Sequence, residues 1–490
     1  MVLSCLVSFC VAQQLMTYPS PGVLPASTDF IIKARTPGQT WKEVPVSLVQ
    51  VADAAAGVFS VREVSMASFD FSGTVEIAVT STKGKFRSAR IRPLSYGIKP
   101  EVTDTTLHFS INQPRNISIE LDGDIFHNLQ LFAGAIEKDV PDKSAAGVLY
   151  YGPGVHDVGT IHLTSGQQVY LAGGAVVMGR FLIDHQNNIR ISGRGILYQP
   201  RGGPVKNTDR PDAIRMDAAS NVTVEGITML SNTYAVLMGE SRHIQIRNIK
   251  SFSAGGNNDG IDVFSSEDVL IDGVFMRNAD DCIAIYGHRW NYYGNVSNVT
   301  VRNSTLWADV AHPILVGTHG DPQHPDTLEG LHFINIDILD HQENQMDYQG
   351  CMSLNAGDSN LIRHVRFEDI RVEDFRKGQL VNLRIMYNRK YNTAPGKGIE
   401  DVLFKDITYT GSHAGTSIIA GYDDTHLVQN IRFENLRING KVFSDTMAGK
   451  PAWYQTSDMA GFFVGEHVIN LQFLTPASSP KSVPTSTGEK

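Results

Sequence analysis

Cysteine is scarce in this chain: four occur in 490 residues, and two of them, Cys5 and Cys10, fall in the first ten positions. The other two, Cys282 and Cys351, cannot make a disulfide scaffold, and no His/Cys spacing reads as a zinc site. Long apolar runs are missing too. Residues 2–12 are apolar but too short to span a bilayer; they have the length of a secretory signal core, with cleavage expected after Ala12, although no Lys or Arg precedes them. Cleavage there would also remove Cys5 and Cys10. Basic blocks are absent: 42 Lys+Arg against 51 Asp+Glu gives −9, so neither nucleic acid nor an anionic membrane is an expected partner. No amphipathic segments of 10–15 residues separate the apolar runs, which argues against a doubly wound α/β sheet.

What is present is short, β-type alternation in two styles. Residues 13–138 alternate with period 2, as in Val75/Ile77/Val79, Leu107/Phe109/Ile111 and Ile117/Ile119/Leu121, broken by Ser-Gly, Lys-Gly, Asn-Gln-Pro and Asp-Gly turns. That pattern predicts an antiparallel β-sandwich without a catalytic constellation. Residues 139–147 are small and polar, as a linker requires. From 148 to 475 an irregular repeat takes over: an Asn, Asp, Gly or His, two alternating aliphatics, then another Gly, Asn or Asp. Copies begin at Asn188, Asn221, His243, Asp268, Asn298, Gly330, His364, Asp401 and Asn430. One aliphatic register recurs at Val222, Ile244, Val269, Val299, Leu331, Val365, Val402 and Ile431, in strides of 22 to 37 residues. Short Val/Ile-rich strands at such strides predict a right-handed parallel β-helix, each coil burying its aliphatics on the next. The fold class expected is therefore all-β, a β-helix behind a β-sandwich. Residues 476–490, rich in Ser, Pro and Thr, are expected to be a disordered tail. Five sequons, at Asn116, Asn221, Asn295, Asn298 and Asn303, agree with a secreted, extracellular glycoprotein.

The polar signatures lie between 257 and 320. Asn257-Asn258-Asp259, Asn278-Ala279-Asp280-Asp281 and His312-Pro313 each precede a short apolar strand. Aligned on Ile261, Ile283 and Ile314, Asp259, Asp281 and His312 coincide, with Asp280 one residue earlier. Stacked coils about 4.8 Å apart would gather three carboxylates and an imidazole on one face. Hydrolysis of a glycosidic bond needs that chemistry: an acid for the leaving oxygen and a carboxylate across the sugar. Crowding makes one carboxyl hold its proton. Asx residues also stack in coil corners as mere turn formers, the competing explanation for any single Asp.

Residues 188 to about 385 resemble the polygalacturonase-type glycoside hydrolases of family 28, with their dextranase/isopullulanase relatives. The family motifs Asn-Thr-Asp, Asp-Asp, Gly-His-Gly and Arg-Ile-Lys look like Asn257-Asn258-Asp259, Asp280-Asp281, Ala311-His312-Pro313 and Arg384-Ile385-Met386 here. The resemblance implies an inverting mechanism with Asp280 as general acid, Asp259 and Asp281 activating water, His312 tuning them and Arg384 binding substrate. It departs at Met386, where the family places a lysine for a uronate carboxylate, and at His312, which lacks flanking glycines. A lysine restored at 386 is expected to favour uronate polymers. The sandwich and the stretch from Trp307 to Gly317 lean toward the dextranase side.

His288, Trp290 and Tyr387 are further substrate-binding candidates, because a loop with aromatic faces after the Asp-Asp strand suits sugar rings. Tyr348 and His319 are lesser ones, and Asp423-Asp424 reads as a turn. A pectic polysaccharide is the expected substrate, with an α-glucan hydrolase and a non-catalytic carbohydrate-binding β-helix as alternatives. No cofactor, no metal and a monomer are expected. A calcium-dependent lyase would need a basic proton abstractor among the carboxylates, which this set lacks.

Overall fold

The structure, a computed structural model, describes residues 13–54, 58–200 and 211–475. The expected signal segment and tail lie outside them. No helix among the described residues is long and apolar enough to cross a membrane. Residues 14–135 form two facing sheets. One runs in space Gln14–Thr17, Ser60–Ser72, Leu129–Ala135, Arg115–Leu121, Ala89–Arg92, with Ser47–Asp53 alongside Ser60–Ser72; the other runs Lys42–Val44, Phe30–Arg35, Val75–Ser81, Thr106–Ile111, Glu101–Thr103. Alternation explains the core: Val75, Ile77, Val79, Leu107, Phe109, Ile111, Ile117 and Ile119 all point between the sheets and are buried together. One pairing departs from the antiparallel expectation. Residues 65–71 run parallel to Leu129–Ala135.

From Val148 to Leu474 nearly all strands join one continuous sheet of a parallel β-helix, pairing with counterparts one coil on; Gly378–Gln379 and Ala414–Gly415 pair apart from it, and Lys441–Phe443 folds back antiparallel on Leu436–Ile438. Three faces result. Face one contains Ile214–Asp217, Val236–Gly239, Ile261–Phe264, Ile283–Tyr286, Ile314–Gly317, Met352–Ala356 and Val381–Ile385. Face two begins with Ser220–Glu225, Arg242–Arg247 and Glu267–Asp272. Face three begins with Thr228–Ser231, Lys250–Ser253 and Phe275–Asn278. The register read from the sequence, Val222 through Ile431, is a column of direct partners on face two. Farther along, Phe333, Phe367, Phe404 and Phe433 stack with centroids 4.7, 4.9 and 4.6 Å apart.

The polar residues of the repeat have a backbone reason. The leading residue of every copy has positive φ, from Asn188 at 57° to Asn430 at 56°, and so does the closing residue, from Gly193 through Asn248 and Asn303 to Asn435. Left-handed backbone disfavours β-branched residues and favours Gly and Asn, with Asp and His tolerated. The repeat therefore records where the chain bends.

The sandwich packs on face three. Val49, Val51, Val64, Met66 and Phe132 meet Leu230, Phe252, Phe275, Trp307 and Leu339 in one buried cluster. Buried ion pairs fasten the seam. The Arg92 guanidinium donates to Glu120 at 2.8 Å and to Glu373 at 2.6 Å. Arg277 donates to Asp309 at 2.9 Å and to Asn128 at 3.2 Å, and lies 4.0 Å over the Trp307 ring. Face three thus has two free edges: its corner with face one and its corner with face two.

Candidate functional site

At the corner between faces three and one, the residues two places before each inward-pointing strand residue form a column: Asp212, Tyr234, Asp259, Asp281 and His312. Backbone bonds join successive coils there, Ala213 N–H to Tyr234 O at 3.0 Å, Ala235 N–H to Asp259 O at 3.1 Å, Gly260 N–H to Asp281 O at 2.8 Å and Cys282 N–H to His312 O at 2.8 Å. Asp259, Asp281 and His312 therefore stand on consecutive coils, with Asp280 beside Asp281. Gly260 makes the close stacking possible, since a Cβ there would lie 2.3 Å from the Cys282 carbonyl oxygen. Asp259, Asp281 and His312 are buried, whereas Asp280 keeps some exposure to solvent.

Partners assign protons. His312 Nδ1 lies 2.7 Å from Asp281 Oδ1 and its Nε2 lies 2.5 Å from the Tyr348 carbonyl oxygen. A carbonyl oxygen can only accept, and so can an ionised carboxylate, so both ring nitrogens donate and His312 is an imidazolium. Burial alone would lower its pKa, but the Asp281 carboxylate outweighs burial and raises it. Asp281 also accepts the His312 backbone N–H at 3.0 Å. Its charge stands next to Asp280, whose carboxyl is pushed up to about 8, first by burial and then by Asp281, with His312 pulling the other way.

The surroundings fix this state. His341 accepts the Gly350 N–H on Nε2 at 3.0 Å, so its Nδ1 carries the proton and donates to the Ala311 carbonyl at 2.7 Å. Burial drives His341 down to about 3, which keeps it neutral beside the charged His312. It thus ties together the residue before His312 and the loop that presents the Tyr348 carbonyl. Gly378 leaves room for it, because a Cβ there would come within 1.9 Å of the imidazole. Tyr348 stands edge-on to His312 at 4.5 Å and stacks on Tyr391 at 4.8 Å.

Sequence reasoning missed Asp262. It points outward from face one, is fully buried, and neither carboxyl oxygen has a hydrogen-bond partner. Burial, followed by the Asp281 and Asp212 charges, raises its pKa well above the usual range. The signal was present: a lone Asp between the inward Ile261 and Val263 must face outward, toward the loops. Asp212 was legible by the same offset that aligned Asp259 and Asp281.

The remaining candidates scatter. Arg384 is in register with Asn355 on face one and donates to the Asp347 carbonyl at 3.1 Å. Trp290 is partly exposed, stacked on Tyr234 with centroids 6.1 Å apart. His288 is engaged within its own loop, 2.7 Å from the Tyr292 carbonyl and stacked on Tyr293. Tyr387 packs edge-on to Tyr422. His319 stands edge-on to Tyr286, and burial pushes it down to about 3. Asp423 accepts the Thr425 and His426 N–H groups, a turn. Met386 is buried in one apolar cluster with Tyr286, Leu315 and Tyr348 on the outer side of face one. Cys282 and Cys351 are free, buried thiols. Among the described residues no three His, Cys, Asp or Glu are grouped to hold a metal ion.

Comparison with known proteins supplies the family and the fold. The family model of glycosyl hydrolases family 28 matches residues 175–452, more than half of the chain. A polygalacturonase of Chamaecyparis obtusa is 24% identical over 308 residues, 62% of this chain and 56% of that protein. A probable exopolygalacturonase A of Aspergillus niger is 27% identical over 245 residues, 45% of this chain and 54% of that protein. The chain spans about half the length of the curated relatives it matches. Among solved structures, Dex49A from Penicillium minioluteum superimposes with a TM-score of 0.62 at 15% identity, covering 94% of this chain and 96% of that one. Sandwich and β-helix together thus recur in a known fold.

Proposed function

This chain belongs to glycosyl hydrolases family 28, and from that premise we propose that it is a secreted, inverting hydrolase of a pectic, polygalacturonate-like polysaccharide. The observation that carries the chemistry is the division of protons at one corner. Burial and the neighbouring Asp281 push Asp280 up to about 8, while His312 Nδ1 stands 2.7 Å from Asp281, one residue on. In the proposed reaction Asp280 protonates the glycosidic oxygen as the bond from the anomeric carbon to that oxygen breaks. Asp281 and Asp259 take a proton from water as its oxygen bonds to the anomeric carbon from the opposite side. His312 does not touch the sugar; it keeps Asp281 ionised and oriented. Arg384 on face one is the cation assigned to a substrate carboxylate.

Met386 favours a second reading. It puts a buried apolar side chain where the resemblance implies a uronate-binding lysine, which suits a neutral α-glucan. The test is reducing-sugar release from polygalacturonan, rhamnogalacturonan, dextran and pullulan, with Asp280→Asn in parallel. Release from a pectic polymer that disappears in the variant is expected. Release from dextran or pullulan alone would replace the pectic reading with the α-glucan one, and binding without release would leave a carbohydrate-binding protein.

A further inference from the structure

The other free edge of face three carries a site of its own. Between the sandwich and the corner joining faces two and three lies a cavity of about 820 Å³, within the size range of small-molecule sites. Four arginines line it, Arg115, Arg247, Arg302 and Arg371, against two acids, Asp272 and Asp337. Two of the arginines are spent on structure. Arg302 donates to Asp272 at 2.8 Å, and Arg371 to Asp337 at 2.7 Å. Among the described residues, the other two have no carboxylate within ion-pair distance. Arg247 stands in its column between Glu225 and Asp272, yet Glu225 is paired with Arg190 and Asp272 with Arg302. Arg115, from the sandwich, lies 4.0 Å over the ring of Tyr96.

Two guanidinium groups from different domains thus face one cavity with no counter-charge of their own, in a protein whose net charge is −9. Guanidinium forks match carboxylates in a planar, bidentate geometry, and the partly exposed Tyr96 adds an aromatic body beside them. We propose that this groove is a second, non-catalytic binding site for a carboxylated glycan chain, gripped by Arg115 and Arg247 across the domain seam. The choice of ligand rests on the pectic reading of the catalytic corner; the groove's charge and shape do not. Such a site would hold the polymer while the catalytic corner works on another stretch of it.

The test is calorimetric titration of Asp280→Asn protein, which does not turn substrate over, with a hexagalacturonide and with maltohexaose. The protein is titrated as secreted and again after deglycosylation, because the sequon residues Asn116 and Asn303 stand in the groove wall, and binding at the groove only after deglycosylation would overturn the proposal. Two hexagalacturonide sites per chain are expected. Arg115→Ala/Arg247→Ala should abolish one of them, at least tenfold in affinity, and leave hydrolysis of a short oligomer unchanged in the otherwise wild-type enzyme. Unaltered stoichiometry in the double variant, or equal binding of maltohexaose at the groove, would overturn the proposal. A protein that hydrolyses no uronate polymer yet shows one Arg115/Arg247-dependent site would sink the pectic reading and keep the groove. Hydrolysis without such a site would do the reverse.

Discussion

The two corners that flank face three use the same residue types for opposite ends. Where face two meets face three, Asn and Asp are exposed and satisfied: Asn303 donates to Asp272 at 2.8 Å, Asn335 to Asn303 at 2.8 Å, and Arg371 to Asn335 at 2.7 Å. Asn303 and Asn335 take left-handed backbone and donate their side-chain amides to the preceding coil. Where face three meets face one, the carboxyls are withdrawn from water and short of partners. Asp262 has none for either oxygen, Asp280 holds its proton up to about 8, and Asp281 is paired with the buried His312. A satisfied ladder stabilises a coil; an unsatisfied one stores reactivity, because crowding separates the proton affinities of neighbouring acids.

The largest effect should come from the acid itself. Asp280→Asn keeps shape and hydrogen-bonding capacity but removes the transferable proton, so kcat on the polymer should fall by about 10²–10⁴. Circular dichroism should show the same fold. Activity within tenfold of the parent would take Asp280 out of the acid role and erase the contrast between the corners. Next is His312→Gln, which leaves Asp281 buried beside a neutral partner. Breaking a buried pair in this way costs about 3–5 kcal/mol, read as an earlier chemical-unfolding midpoint, and kcat should fall with it. A stable, active variant would mean that Asp281 does not depend on the imidazolium.

The pH dependence comes third. Asp280 must be protonated to act, so kcat should decline as pH rises through about 8, and a limb near 4 instead would refute its raised pKa. Stability follows the same sign. Asp280 and His312 both have folded-state pKa values above their unfolded ones, so each contributes stability that is present below its unfolded value, about 4 and about 6.5 respectively. That contribution is lost as pH rises through the folded value. The melting temperature should therefore be higher at pH 5 than at pH 9, and Asp280→Asn should flatten the difference.

Much of this was legible because a β-helix writes its geometry into local order. Ile261, Ile283 and Ile314 pair directly in space, so aligning them in sequence aligned the residues two places earlier as well. The Asn, Asp, Gly and His of the repeat were visible for a backbone reason, left-handed φ, which composition reports faithfully. What stayed hidden depends on loops without a period. The Tyr348 carbonyl reaches His312 across 36 residues, and Met386, on the outer side of face one, is buried in a cluster with Tyr286, Leu315 and Tyr348. The parallel pairing of residues 65–71 with Leu129–Ala135 escaped for the same reason: partners about 64 residues apart leave no local mark.

The smallest effect tests the quiet corner. Asn303 is exposed, has φ of 53°, donates to Asp272 and accepts from Asn335. Asn303→Ala removes both side-chain bonds and forces a Cβ-bearing residue without a local hydrogen bond into left-handed backbone, which costs about 1–2 kcal/mol by itself. Asn303→Gly removes the same bonds but adopts that backbone freely, so it isolates the ladder, worth about 1 kcal/mol for exposed bonds. Unfolding midpoints should rank parent, Asn303→Gly, Asn303→Ala, and hydrolysis of a short oligomer should be unchanged in both. Equal losses in the two variants would assign the corner's stability to its hydrogen bonds alone. A loss of short-oligomer activity approaching that of His312→Gln would show that the two corners are coupled through face three, and the division of labour between them would fail.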